Sequence, residues 1–229
     1  MNYSNEQSAR EIICEIGRRA YQKGFVAAND GNFSVRIGDN LVVATPTGVS
    51  KGFMTPEILV TLDLDGNVVQ KGELALTSEI KMHLRVYKEN AQVGAVIHTH
   101  SPLATAYGAA GISLDDALLL ENVVFLGVVP CTAFALAGSD EVPEMVAPYC
   151  KDYNAVLLGN HGVLTWGANA MEAYYRTETL EHYAKIHMVT RYVLGSNKTL
   201  TKEERDRLLE IRQKAGIERG GIPWVTGER

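Results

Sequence analysis

Two histidines one residue apart, His98 and His100, follow the apolar run Ala95-Val96-Ile97 and precede Ser101-Pro102. Side chains alternate between faces on a strand, so both imidazoles point the same way. A third, His161, lies in Gly159-Asn160-His161-Gly162, directly after the apolar run Ala155-Val156-Leu157-Leu158. Strand ends and the loops after them are where α/β folds build sites. Three neutral imidazoles with an open fourth position describe a catalytic zinc centre, although other divalent ions also accept them. Glu79 is the natural fourth member, because it opens a predicted helix, where backbone N–H groups and the dipole favour an anion. A carboxylate near a metal acts as ligand or as general base. His83, His182 and His187 fall on predicted helices without partners at ligand spacing and read as packing or surface residues.

Three further segments offer parts for binding an anion: Gly31-Asn32 with Ser34, Thr47-Gly48, and Thr77-Ser78 beside Glu79. Each supplies backbone N–H groups, hydroxyls or an amide with little side-chain bulk. Each alone is an ordinary turn, but together they can wrap a phosphate, since oriented N–H groups bind anions well. The chain has neither a GxxxxGK[ST] nor a GxGxxG stretch, so nucleotide binding has no support.

These residues need elements to hold them. Ser4-Asn5-Glu6-Gln7 predicts a capped helix over about 6 to 22, with Ile12, Ile13, Ile16, Ala20 and Tyr21 at helical spacing. Phe33 and Val35 alternate with Ser34 and Arg36 as a strand, and Leu41 to Thr45 returns as its hairpin partner. Thr55-Pro56-Glu57 opens a short helical turn. Val60 to Asp63 and Val68-Val69 form the next hairpin. Thr77 or Ser78 caps a helix carrying Ile80, Met82, His83, Val86 and Tyr87, after which Ala91 to Val96 leads into the histidine strand. Residues 103–110 are small enough for a closely packed helix. Val123 to Leu126 and Val128-Val129 read as short strands, and Ser139 to Pro143 caps a helix reaching about Cys150. Met171 to about Leu194 is a long helix. The tail from Thr199 starts as a charged helix, Lys202 to Lys214, and then loses regularity.

The 229 residues are 46% hydrophobic, enough for a substantial core without staples. A net charge of −5 excludes a general nucleic-acid binder, yet leaves room for a small anion in a local pocket. Cys14, Cys131 and Cys150 are odd in number and widely spaced, which predicts free thiols in a reducing compartment. Met1 to Glu6 lacks the basic head and apolar core of a signal peptide, and no apolar run approaches the roughly 18 residues of a membrane span. The expectation is a cytoplasmic protein of one domain over 1–229, without repeats or linkers, in which 199–229 form a C-terminal helix and tail.

Asn29-Asp30-Gly31-Asn32-Phe33-Ser34, Thr45-Pro46-Thr47-Gly48, Thr77-Ser78-Glu79, His98-Thr99-His100 and Asn160-His161-Gly162 occur in one order and spacing. In this the chain resembles the class II aldolase/adducin family over about 8 to 195, and most closely its members that cleave L-fuculose 1-phosphate. The resemblance implies an α/β fold, a single three-layer α/β/α domain around a mostly antiparallel central sheet. It also implies a homotetramer with active sites at subunit interfaces and a small phosphorylated sugar as substrate. It assigns His98, His100 and His161 to zinc, one ion per subunit, and Gly31, Asn32, Thr47, Gly48, Thr77 and Ser78 to the substrate phosphate. Glu79 becomes the acid/base. The implied reaction is cleavage of a ketose 1-phosphate to dihydroxyacetone phosphate and an aldehyde. The same metal and enediolate would serve a 4-epimerase, a methylthioribulose-phosphate dehydratase or a 3-oxo-acid phosphate decarboxylase. The adducin branch of the family is a non-catalytic binding module without the metal histidines, all three of which are present here. Position 79 is Glu, as in the aldolases, where the epimerase pattern has Asp. The family's tyrosine donor after the His-x-His pair has no counterpart: no tyrosine lies between Tyr107 and Tyr149, and the matching stretch reads Leu118-Leu119-Leu120-Glu121-Asn122. In this family the tail closes over a neighbour's site, a role open here to Tyr192 or Trp224.

Overall fold

The computed structural model describes residues 5–228. Helix α1 (Glu6–Gln22) leads into the strands β1 (Asn32–Ile37), β2 (Leu41–Ala44), β3 (Val60–Asp63) and β4 (Val68–Gln70). Next come α2 (Ile80–Glu89), β5 (Ala95–Thr99), α3 (Pro102–Ala109), β6 (Cys131–Phe134), α4 (Glu141–Val146), β7 (Ala155–Gly159) and β8 (Gly162–Gly167). The chain closes with α5 (Ala170–Met188) and α6 (Lys202–Lys214). The eight strands form one sheet in the order β4-β3-β2-β1-β5-β8-β7-β6. All neighbours are antiparallel except β6 and β7. Helices cover both faces, so the fold is α/β around a mostly antiparallel sheet, as the resemblance implies.

Strand alternation decides which residues meet which helix. Phe33, Val35, Ala95 and Ile97 turn to the face packed by α1 and the start of α5. Val42, Ala44, Val96, Leu164 and Trp166 turn to the opposite face, against α2 and α4. Each large side chain buried in this way contributes about 1.5–3 kcal/mol. Asn32, Ser34 and His98 belong by parity to the α2 face, and Asn32 lies directly across from His98 in the β1–β5 ladder. The helix that begins after Glu79 therefore lies over the same face as the histidine strand. Small residues let α3 approach closely: a Cβ at Gly108 would meet Leu158 O at 2.9 Å.

The first helix spans the expected residues and is capped from within the expected stretch by Asn5, whose side chain accepts from Ser8 N–H, while Ser4 lies outside the described residues. Three local expectations need correction. Neither Thr77 nor Ser78 caps α2: Glu79 occupies the N-cap position, and its N–H bonds Thr77 Oγ1 at 3.3 Å. The run Val123 to Leu126 is not a strand but part of a π-helical turn, Asn122–Leu126, and Val128-Val129 keeps only one bridge, Leu114 to Val129. Here the buried Asn122 accepts from Leu119 N–H and donates to Asp116 O, and Gly127 at φ 84° closes the turn. Those polar anchors override the strand preference of the valines. Finally, the long helix is regular only to Met188 and ends in a second π turn, Val189–Val193.

After α6, which carries a full capping box of Thr201 and Glu204, the tail returns across the body of the fold. Gly220 N–H bonds Asp152 O, Ala117 N–H bonds Trp224 O and Trp224 N–H bonds Asp115 O, each at 2.7 Å. Cys14 and Cys150 are buried, Cys131 is half-buried, and all three are free thiols. Among the described residues no helix is long and apolar enough to cross a membrane.

Candidate metal centre

The three histidines predicted from sequence come together at one end of the central strands, each carried by a different segment. His98 sits inside β5 with β1 on one side and β8 on the other, and is wholly buried. His100 follows the end of β5, with its N–H on Phe25 O at 3.0 Å. His161 stands in the β7–β8 turn, after Asn160 at φ 54°. The turn continues through Gly162, where a Cβ would lie 2.9 Å from His98 Cε1 and 2.7 Å from His100 Cδ2. Glycine there is what lets the imidazoles converge. One ligand atom from each histidine lies within 4.8 Å of the others.

The hydrogen bonds fix which nitrogen each ring offers. A carbonyl oxygen can only accept, so His98 Nδ1–H donates to Val163 O at 2.9 Å and leaves Nε2 as a lone pair. His100 Nδ1 faces Asp30 Oδ2 at 3.3 Å, which likewise turns its Nε2 inward. These two Nε2 atoms stand 3.1 Å apart. Burial lowers both pKa values, that of His98 to about 3, so the rings are neutral. Two lone pairs at that distance repel unless a cation lies among them. Glu79 adds to the same demand. Its Oε2 is 3.6 Å from His98 Nε2, and its Oε1, 3.1 Å from His161 Nε2, is shielded from solvent without a well-aligned hydrogen bond. Three imidazole nitrogens and an unsatisfied carboxylate oxygen fit a divalent ion in both charge and donor type.

The Glu79 carboxyl is under opposed influences. Burial by itself raises its pKa, but His161, His98 and the Asn32 amide together outweigh burial and hold it well below the usual carboxylate range. Asn32 Nδ2 donates to Glu79 Oε2 at 2.6 Å, and Asn32 Oδ1 lies 2.6 Å from His83 Nε2. The Asn32 side chain, expected on a phosphate, is thus engaged with the carboxylate. Ser34 is also turned away from solvent, with its Oγ on His83 Nδ1 and Tyr87 OH. Of the other predicted anion-binding residues, Thr47, Gly48 and Ser78 are exposed, whereas Thr77 and Gly31 are buried. Thr47 N–H bonds Ala75 O at 2.8 Å, which ties the 45–48 loop to the segment before Glu79.

Three residues near the site went unassigned from sequence. Asp30 backs His100, and His83 backs Asn32. Lys51 is buried, and its Nζ donates to Asn29 O at 2.8 Å and Val49 O at 2.7 Å, bracing the two glycine loops against each other. Burial lowers its pKa to about 8, against the pull of Asp30 and Glu79. A period-four spacing, Glu79-His83-Tyr87, was the available signal for His83. Tyr107 and Tyr149, the tyrosines flanking the gap after the His-x-His pair, are both committed elsewhere. Tyr107 OH lies 2.7 Å from His187 Nδ1, and Tyr149 stacks edge-on against Tyr153.

Comparison with known proteins agrees with this geometry. The family described as "Class II Aldolase and Adducin N-terminal domain" matches residues 11–188. The L-fuculose phosphate aldolase of Methanococcus maripaludis is 36% identical over 180 residues, covering 76% of this chain and 93% of that protein. The 3-oxo-tetronate 4-phosphate decarboxylase of Haemophilus influenzae is 34% identical over 182 residues, covering 77% and 85%. A solved L-fuculose 1-phosphate aldolase superposes with a TM-score of 0.82 at 27% identity, covering 90% of this chain and 96% of that one. The chain belongs to the class II aldolase and adducin N-terminal domain family and, with its aldolase relatives, is a metal-dependent lyase.

Proposed function

We propose that the chain cleaves a ketose 1-phosphate, L-fuculose 1-phosphate or a related deoxyketose phosphate, to dihydroxyacetone phosphate and an aldehyde. The observation that carries this reading is Glu79, an anionic carboxylate set 3.1 Å from His161 and 3.6 Å from His98 while the Asn32 amide fixes its second oxygen. A divalent ion held by His98, His100 and His161, zinc in this reading, supplies Lewis acidity for the hydroxyl and keto oxygens of the sugar. Glu79 takes a proton from, and returns it to, the carbon that becomes C3 of dihydroxyacetone phosphate. The phosphate falls to the loops of Gly31, Thr47-Gly48 and Thr77-Ser78, with Asn32 acting on Glu79 through its side chain. The assembly is a cytoplasmic homotetramer with sites between subunits, a reading supported by exposed large apolar side chains such as Phe134 and Leu136.

Incubation with L-fuculose 1-phosphate, with dihydroxyacetone phosphate measured by a coupled reductase, tests the proposal. Release of the triose phosphate that stops on chelation and resumes with zinc is the expected result. A zinc-loaded protein that yields no triose phosphate from any 1-phosphoketose contradicts it.

A second reading, decarboxylation of a 3-oxo-acid phosphate, draws support from the Haemophilus relative and from the missing tyrosine. Departing carbon dioxide needs no proton exchange on an aldehyde oxygen, so Leu118 to Glu121 would serve it without loss. Carbon dioxide release from 3-oxo-tetronate 4-phosphate, without turnover of ketose 1-phosphates, would select that reading.

A further inference from the structure

The Asn32 amide that holds Glu79 is itself held. Its Nδ2 must face the carboxylate, since the reverse orientation would set the amide oxygen 2.6 Å from an anion. Asn32 Oδ1 therefore accepts, and His83 Nε2–H donates to it at 2.6 Å. Neutral His83 then has only a lone pair on Nδ1, so Ser34 Oγ–H donates to it at 2.7 Å. Ser34 Oγ in turn accepts from Tyr87 O–H at 2.9 Å. Asn32, Ser34, His83 and Tyr87 are each at most 2% exposed. Every donor in this buried chain points towards Glu79, and each bond polarises the next.

We propose that Tyr87, Ser34 and His83 form a positioning relay, which locks the Asn32 amide with its donor edge on Glu79 and so fixes the carboxylate for proton transfer. The relay rests on the reading of Glu79 as the proton shuttle. None of the three touches the reacting atoms; they act through Asn32. Two come from α2 and one from β1, so the relay also couples the register of α2 on the sheet to the acid/base. With a proton on Nδ1, His83 would set its Nε2 lone pair 2.6 Å from Asn32 Oδ1, acceptor against acceptor, so its tautomer is the state variable of the relay.

Two measurements on Ser34→Ala test this. Nitrogen-15 spectra of the histidine rings read the tautomer, and steady-state kinetics on L-fuculose 1-phosphate read the consequence. The parent is expected to hold His83 as Nε2–H, and Ser34→Ala to keep that tautomer, which Asn32 Oδ1 still demands, while its Nδ1 resonance shifts on losing the serine hydrogen bond. With the carboxylate less well held, kcat is expected to fall about tenfold to a hundredfold, while KM stays within about twofold because phosphate binding is untouched. A purely structural serine would lower the melting temperature without that split. Should Ser34→Ala fail to fold, Tyr87→Phe removes only the far hydroxyl and is expected to show a smaller loss in kcat with the same unchanged KM. His83 as Nδ1–H in the parent, or an unchanged kcat in the folded variant, overturns the relay. If the parent turns over no ketose phosphate, the functional reading fails, while the tautomer still decides the relay by itself.

Discussion

Glu79 sits between burial, which favours the neutral acid, and the imidazoles and amide around it, which favour the anion. Replacing it with Gln keeps the shape and removes the proposed base. Glu79→Gln is therefore expected to lower kcat by about a hundredfold to ten-thousandfold, with the zinc content, measured by mass spectrometry, still near one per chain. Asp30 acts at one remove, by holding His100 Nδ1. Loss of such a partner weakens metal binding by about 10- to 100-fold, so Asp30→Ala is expected to release zinc to a chromophoric chelator at correspondingly lower chelator concentration. Lys51 makes two charge-assisted bonds to backbone carbonyls that have no other cation beside them among the described contacts. Lys51→Met strands those carbonyls and is expected to cost about 2–4 kcal/mol in denaturant unfolding, together with a raised KM as the two glycine loops part.

At the scale of elements, strands and helices had different legibility. The period of two was enough to set His98 and His100 on one face of their strand, and the turn residues around His161 placed it at a strand end. The helix-period spacing of Glu79, His83 and Tyr87 was equally visible, but its meaning was not. Asn32 and Glu79 are 47 positions apart, and Ser34 and Tyr87 are 53 apart. Those contacts exist only once α2 is packed on β1, which no local pattern encodes. The valines of 123–129 misled for the related reason that Asn122, a single buried amide, outweighed their strand preference. Two expectations follow from the packing. Gly162→Ala drives a methyl into His98, His100 and Thr99 O, the last at 2.6 Å, and is expected to reduce zinc affinity more than melting temperature. His83, buried between α2 and β1, has its pKa lowered to about 4 by burial. Below the unfolded value of about 6.5, the unfolded chain binds a proton that the folded chain refuses, so stability present at pH 7 is lost as pH falls towards 4. Urea unfolding of the metal-free protein across that window is expected to show this slope, and His83→Gln to remove one proton's share of it.

In the molecule as a whole, one sheet carries both halves of the chemistry. β5 and the β7–β8 turn supply the imidazoles, while the loops before β1, after β2 and before α2 carry the groups proposed to bind the anion and to act as base. The family match ends at residue 188, and the chain beyond it folds back along 115–128 through Trp224 and Gly220. That stretch includes Leu118 to Glu121, which stand where the family resemblance expects the tyrosine donor. Both reactions pass through the same carbanion beside the keto group of dihydroxyacetone phosphate, and in the proposed reading Glu79 handles its proton in both. Exchange of that proton with solvent deuterium, followed by proton NMR on dihydroxyacetone phosphate alone, needs no aldehyde and no assumption about the sugar. One of the two C3 hydrogens is expected to wash out in the zinc-loaded parent and to persist after chelation or in Glu79→Gln. Retention of both hydrogens by the zinc-loaded parent, or exchange undiminished in Glu79→Gln, would contradict the assignment of Glu79 and the three histidines as one catalytic centre.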